Sequence, residues 1–162
     1  MSLVVNAGPN EVEYWPGQNQ LVNSLMNYGD LILAGTFTIK RVKGYLSSQI
    51  RRDVERALKI WLRRVNNHFY KKLYNRGKKS LPFIASFETK FDGENPHIHF
   101  AIGAPEGRNY EELKSVVLEM KDKISLFHHR ADIQPLTSSV WVTYITKGGS
   151  DSLLLECCNR GK

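Results

Sequence analysis

The chain has 162 residues, 41% of them hydrophobic and 24% charged, with a formal charge of +7. That length suits one domain around one core. No apolar run approaches the roughly 20 residues of a membrane span, and Met1 to Trp15 show neither the basic nor the long apolar segment of a secretory leader. The two cysteines, Cys157 and Cys158, are adjacent, which excludes a disulfide scaffold and points to a reducing interior.

Residues 1–30 read as an irregular N-terminal arm, because Gly8-Pro9, Pro16-Gly17 and many Asn and Gln break any period. Leu31 to Arg41 (LILAGTFTIKR) is apolar, β-branched and aromatic, which predicts a strand. After a turn at Gly44, Ser47 or Ser48 can cap a helix. Ile50, Val54, Leu58, Trp61, Leu62, Val65, Phe69 and Leu73 then recur at helical spacing. The pattern predicts a long amphipathic helix ended by Gly77. From Gln49 to Lys79 there are eleven lysines and arginines against Asp53 and Glu55, which is +9 for that block and leaves −2 for the rest of the +7 chain. One basic block in a mildly acidic protein suggests a polyanionic partner, nucleic acid above all, although a solvated helix face has the same composition.

Leu81 to Thr89 is a second predicted strand, Asp92 to Pro96 a turn-rich link, and Pro96 to Ile102 a third strand, so the two strands form a hairpin. Asn109 caps a helix from Tyr110 to Leu126, Ala131 to Leu136 is a short strand, and Ser139 to Lys147 is a last helix ended by Gly148-Gly149. The expected organisation is an arm (1–30), a domain (31–150) and a tail (151–162). The order β-α-β-β-α-β-α predicts an α+β fold, a split βαβ of ferredoxin-like or RRM-like type, with a central antiparallel sheet flanked by helices.

Pro96-His97-Ile98-His99-Phe100 concentrates the chemistry. Strand side chains alternate faces, so His97 and His99 project together while Ile98 and Phe100 turn to the core. Glu88 ends the preceding strand, and hairpin pairing can bring its carboxylate to the same face. Two imidazoles and a carboxylate suit Mn²⁺ or Mg²⁺ when water and phosphate oxygens complete the shell, and Zn²⁺ would also bind. The competing reading is two ordinary strand histidines beside a surface carboxylate. Further on, Tyr144 and Lys147 stand at i and i+3 of the predicted last helix and share a face. An ammonium there favours a phenolate and can neutralise a phosphate oxygen. Trp141 and Ile145 would form the packing stripe, leaving Tyr144 to point elsewhere.

These pieces, in this order, resemble the HUH endonuclease superfamily, most closely its rolling-circle replication initiators (Reps). LAGTFTIKR is similar to their first motif, with Phe37-Thr38 in place; PHIHF resembles the metal-binding second motif, with Glu88 where viral and plasmid Reps carry a third ligand; TYITK resembles the third, YxxK. The resemblance covers about residues 31–149. It implies a metal-dependent endonuclease in which Glu88, His97 and His99 hold Mn²⁺ or Mg²⁺, Tyr144 is the nucleophile and Lys147 assists. The implied substrate is single-stranded or hairpin origin DNA of a plasmid or virus, nicked and rejoined through a 5′-phosphotyrosine to start rolling-circle replication. The implied partners are a separate helicase and the replication machinery. The implied setting is intracellular, without a membrane: bacterial or archaeal cytoplasm, or the host nucleus for a virus. The first motif departs from FTLNN, no GxxxxGK[ST] helicase motif occurs, the tyrosine follows the histidines unlike in relaxases, and Gly148 stands where single-tyrosine transposases place a further ligand.

Lys40, Arg41 and Lys43, after the first strand, are candidate DNA contacts, as is Arg130. His128 and His129 fall at a predicted helix end, where the helix dipole alone accounts for them. His68 is expected to be structural or exposed. The competing functions are a related DNA transposase, a non-catalytic basic nucleic-acid-binding module, and a zinc protein using Cys157-Cys158, whose spacing matches no standard site.

Overall fold

The computed structural model of the chain describes residues 3–6, 11–14, 18–26, 30–40, 47–89, 95–148 and 150–162. In chain order the elements are β1 (Leu3–Asn6), β2 (Glu11–Tyr14), α1 (Gln18–Met26), β3 (Leu31–Ile39), α2 (Ser47–Tyr70), α3 (Lys72–Asn75), β4 (Phe83–Glu88), β5 (His97–Gly103), α4 (Tyr110–Asp122), β6 (Phe127–Pro135) and α5 (Val140–Ile145). A 3-10 turn follows at Ser150–Ser152. Among the described residues, no helix is long and apolar enough to cross a membrane.

β4, β5, β3 and β6 form one sheet in that spatial order, with every pair antiparallel. The two hairpin strands sit beside the first strand, and the last strand lies on its far side. This is the split βαβ arrangement that the element order predicts.

Strand alternation separates the two faces. Leu33, Phe37, Phe83, Ile98, Phe100 and Ile102 meet α2 and α4 in the main core. The aromatic rings of Phe37, Trp61, Phe83, Phe100 and Phe127 pack there with centroids 4.6–5.9 Å apart. α2 forms because Val54, Leu58, Trp61, Leu62 and Val65 make one apolar stripe against this cluster. Trp61 also donates its indole N–H to the Val117 carbonyl of α4 at 3.2 Å. α4 starts on the expected Asn109 cap, a capping box with Glu112.

A smaller core lies on the opposite face. Ile84 and Ala101 of the sheet meet Leu25 of α1, Val142 and Ile145 of α5, and Leu153. The basic helix α2 and the histidine face of the sheet are therefore on opposite sides of the molecule.

The structure corrects several sequence expectations. The N-terminal segment is not irregular: β1 and β2 pair antiparallel, and α1 puts Leu25 into the smaller core. The long helix breaks at Lys71, which has φ of 48°, and α3 follows before Gly77 at φ of 66°. α4 stops at Asp122, four residues before the expected end, so His128 and His129 lie in β6 and no helix terminus explains them. Lys121 enforces that start. Its buried ammonium donates to the His128 and His129 carbonyls at 3.1 and 2.9 Å and pairs with Asp122 at 2.8 Å. α5 ends at Ile145, so Lys147 sits in the following turn. The tail pairs with β4 through Ser86–Leu153 and Phe83–Asn159 bridges, and Leu154 and Cys157 are buried in the main core.

Candidate active site

The β4–β5 register sets Glu88 opposite His97 and Ser86 opposite His99. Even-numbered β4 residues thus share a face with odd-numbered β5 residues, and all three candidate ligands converge. His97 Nε2 lies 3.0 Å and His99 Nε2 3.2 Å from the same Glu88 oxygen, Oε2. One ligand atom from each residue falls within 4.8 Å of the others, close enough for one ion. His99 is buried, and Glu88 and His97 are half-buried.

The rear nitrogens of both rings are held. His97 Nδ1–H donates to the Asn95 carbonyl at 2.7 Å, so Nε2 donates to Glu88 when the ring is protonated and offers its lone pair to a cation when the ring is neutral. His99 Nδ1 lies 2.9 Å from the Thr36 hydroxyl, across the β3–β5 ladder where Thr36 pairs with His99. A hydroxyl donates or accepts, so Thr36 serves His99 whichever nitrogen carries the proton. Backbone and hydroxyl partners of this kind orient ligating imidazoles. The donor set and its supports therefore fit a divalent ion.

Electrostatics follow from the geometry. Burial works against the Glu88 carboxylate, but hydrogen bonds from His97 and His99, and then the Lys147 charge, hold its carboxyl well below the usual carboxylate range. The Glu88 hydrogen bond raises the His97 pKa above its ordinary 6.5 against the opposing effect of burial. Burial also works against the Lys147 charge, yet the Tyr144 hydroxyl and Glu88 outweigh it and raise its pKa, so Lys147 is an ammonium at neutral pH.

α5 brings the tyrosine to this group. Val142 and Ile145 pack into the smaller core, and Trp141 donates its indole N–H to the Phe100 carbonyl at 2.9 Å, one residue past His99. Ile145 and the half-buried Trp141 pack against the smaller core as expected, joined by Val142, and Trp141 also stacks on Tyr144 at 5.4 Å and 20°. The Tyr144 ring stands 5.0 Å from the His99 ring and is 41% exposed. Lys147 Nζ sits 3.8 Å from the Tyr144 ring centroid and 3.4 Å from Glu88 Oε2. Five residues from three elements and one turn thereby come together: an acceptor set for a cation, a phenol and an ammonium.

The DNA-contact candidates fare differently. Lys40 is exposed just past β3, and Arg130 is exposed on β6. Both contribute to lowering the His128 pKa, after burial and His129, so they gather around His128 rather than around Glu88. Arg41 and Lys43 lie outside the described residues. His68 is exposed, as expected. Sequence reasoning missed Thr36 and Asn95. Thr36 was within reach, because β3 alternation puts it on the same face as Thr38 of the Phe37-Thr38 pair. Asn95 acts through its backbone and φ of 48°, which its side chain does not announce.

Comparison of the chain with protein-family models, curated proteins and solved structures finds no match.

Proposed function

We propose that the chain is a Rep-type HUH endonuclease domain, a metal-dependent nickase and strand-transferase for single-stranded or hairpin origin DNA. The observation that carries this reading is Tyr144, placed against His99 and beside Lys147, at the rim of the Glu88, His97 and His99 group. Glu88 and the Nε2 atoms of His97 and His99 would hold Mn²⁺ or Mg²⁺. When bound, the ion supplies Lewis-acid polarisation of a scissile phosphate and fixes its orientation.

The residues perform the rest. Tyr144 Oη attacks phosphorus, the P–O3′ bond breaks, and the 3′ oxygen leaves as a hydroxyl after taking a proton. The 5′ phosphate stays on Tyr144 as a diester. The Lys147 ammonium favours the phenolate before attack and balances the added phosphate charge afterwards. Because a diester replaces a diester, a free 3′-OH can reverse the step and join ends without ATP. The 41% exposure of Tyr144 and the stacked Trp141 suit an approaching strand with accessible bases. The reading places the chain with replicating plasmid or viral DNA, in bacterial or archaeal cytoplasm or a host nucleus, with a separate helicase. The free cysteines Cys157 and Cys158 are compatible with that reducing setting.

The test incubates the protein with single-stranded oligonucleotides, including hairpin-bearing pools, and Mn²⁺, then resolves products on a denaturing gel. A covalent adduct that needs metal and vanishes in Tyr144→Phe is expected. An adduct that survives His97→Ala with His99→Ala overturns the mechanism. DNA binding with no adduct from any pool leaves a non-catalytic binding module.

A further inference from the structure

α2 places four cations on one line. Arg52, Arg56, Lys59 and Arg63 stand at i, i+4, i+7 and i+11, a stripe about 16 Å long at 1.5 Å per residue. The stripe begins two residues before Val54, Leu58, Trp61 and Val65, roughly 200° around the helix from the buried side. It therefore faces outward, on the side of the sheet opposite the Glu88, His97 and His99 group.

Three of these four charges have no carboxylate partner among the described residues. Lys59 pairs with Glu156 at 2.7 Å, and both side chains are largely exposed. Arg52, Arg56 and Arg63 have no carboxylate within reach among the described residues, nor do Lys71, Lys72, Arg76, Lys78 and Lys79 beyond them. Arg52 with Arg56, and Lys59 with Arg63, are like-charge pairs at i, i+4, an arrangement that weakens a helix by itself. A face kept only for solubility would intersperse glutamates, as α4 does with Glu119 and Lys123; here acids occur only at the start, as Asp53 and Glu55, and none stands from Arg56 to Lys79. Retaining a costly row of like charges indicates that a polyanion repays it.

The lower half of the stripe borders a groove of about 510 Å³ between α2 and the C-terminal segment. A second groove of about 440 Å³ continues it, and Tyr74 and Asn159 line both. Lys59 and Arg63 wall the first groove, and Lys79 and Lys162 the second; Glu156 is the acidic side chain on their combined lining. An exposed ion pair such as Lys59–Glu156 contributes little and yields readily to a phosphate.

We infer that the outer face of α2, with its bordering groove, is a second nucleic-acid surface that grips the sugar-phosphate backbone of duplex DNA independently of sequence. Charge complementarity selects a polyanion. No exposed aromatic side chain lies along the Arg52–Arg63 stripe, and Tyr74 is the single aromatic lining the grooves beside it, which is too few to stack successive bases, so the surface suits a duplex better than a single strand. The stripe sits away from the proposed active site, so one surface can hold duplex while the other works on an unpaired strand. The inference stands whether or not Tyr144 cleaves DNA.

The test measures fluorescence anisotropy of the full chain on a labelled ~20-base-pair random duplex, the matching single strand and an RNA duplex, across a salt series. Arg52→Ala with Arg56→Ala and Arg63→Ala should weaken duplex binding at least about tenfold near 100 mM salt and reduce the log–log salt slope by about 0.9 per lost contact. His97→Ala with His99→Ala should leave duplex binding unchanged. Circular dichroism melts establish that both variants fold; should the triple variant melt early, Lys71→Ala with Lys72→Ala, on the exposed end, replaces it with the same expectation. Unchanged duplex affinity in folded stripe variants overturns the inference. So does an RNA duplex or single strand whose binding the stripe variants weaken tenfold more than that of the DNA duplex, or loss of duplex binding in the folded histidine variant.

Discussion

Lys147 Nζ lies 3.4 Å from Oε2 of Glu88, the same oxygen that the His97 and His99 Nε2 atoms approach at 3.0 and 3.2 Å. One carboxylate oxygen thus gathers an ammonium and two imidazoles. A divalent ion held by this group would share Glu88 with Lys147 and feel its like charge.

Lys147→Met should accordingly separate two properties. Mn²⁺ affinity, measured by titration calorimetry, should tighten about threefold to tenfold, the scale of one partly exposed charge interaction. Adduct formation with DNA should fall at least about tenfold, because the phenolate and the developing charge lose their cation. Parallel gains or parallel losses in the two assays would contradict the placement of Lys147 between Glu88 and Tyr144.

The metal-free protein should show a pH optimum set by Glu88 and His97. The folded pKa of His97 is raised, so its contribution is complete below its ordinary 6.5 and is lost as pH climbs through the raised value. The folded pKa of Glu88 is lowered, so its contribution is complete above its ordinary 4.5 and is lost as pH falls through the lowered value. Thermal melts in chelator should therefore peak between these two pH values and decline on the alkaline side. His97→Gln should flatten that alkaline decline. Mn²⁺ affinity should move the other way and rise with pH, since ligation releases the His97 proton.

Thr36→Val removes the hydroxyl behind His99 with almost no change of shape. Mn²⁺ affinity should drop about tenfold to a hundredfold, the usual effect of losing a ligand's outer partner. Thr36→Ser should restore it. Equal affinity in Thr36→Val and the parent would mean that packing alone orients His99.

Gly35 tests the main core. It faces Phe100 across the β3–β5 ladder, and a Cβ added at Gly35 would come within 2.2 Å of the Phe100 ring. Phe100 is confined by Phe37, Trp61 and Phe83, so it has little room to yield. Gly35→Ala should lower stability by about 1–3 kcal/mol in urea denaturation. A loss under about 0.5 kcal/mol would show the aromatic cluster to be softer than its packing suggests.

Much of this site is legible in the residues. Alternation in β5 puts His97 and His99 together, and a hairpin brings Glu88 to them because a strand period of two leaves only one register with both apolar sets buried. The order of the core elements follows from 3.6- and 2-residue periods between Leu31 and Lys147. What escapes has physical reasons. α1 and the Ser150–Lys162 segment carry few periodic apolar residues; among the described residues α1 adds the buried Leu25 and the C-terminal segment adds Leu153, Leu154 and Cys157 to cores built elsewhere. The early end of α4 depends on Lys121 reaching the carbonyls of a strand seven and eight residues later, an interaction that helix periodicity does not encode. Trp141 looks apolar in sequence, yet its indole N–H anchors α5 to β5 and sets the height of Tyr144.

The pairing of Leu153 to Asn159 along β4 has a further consequence. β4 is an outer strand of the sheet, and its inward neighbours Phe83, Ala85 and Phe87 are strongly apolar. Left bare, such a strand would recruit strands from other molecules. Backbone bonds from Leu154 to Ala85, and in both directions between Phe83 and Asn159, occupy those positions. The opposite edge protects itself by composition, since β6 carries His128, His129, Arg130, Asp132 and a terminal Pro135. Variants that loosen the C-terminal segment, such as Leu154→Asp, should therefore announce themselves as concentration-dependent turbidity well before the Glu88, His97 and His99 geometry is disturbed.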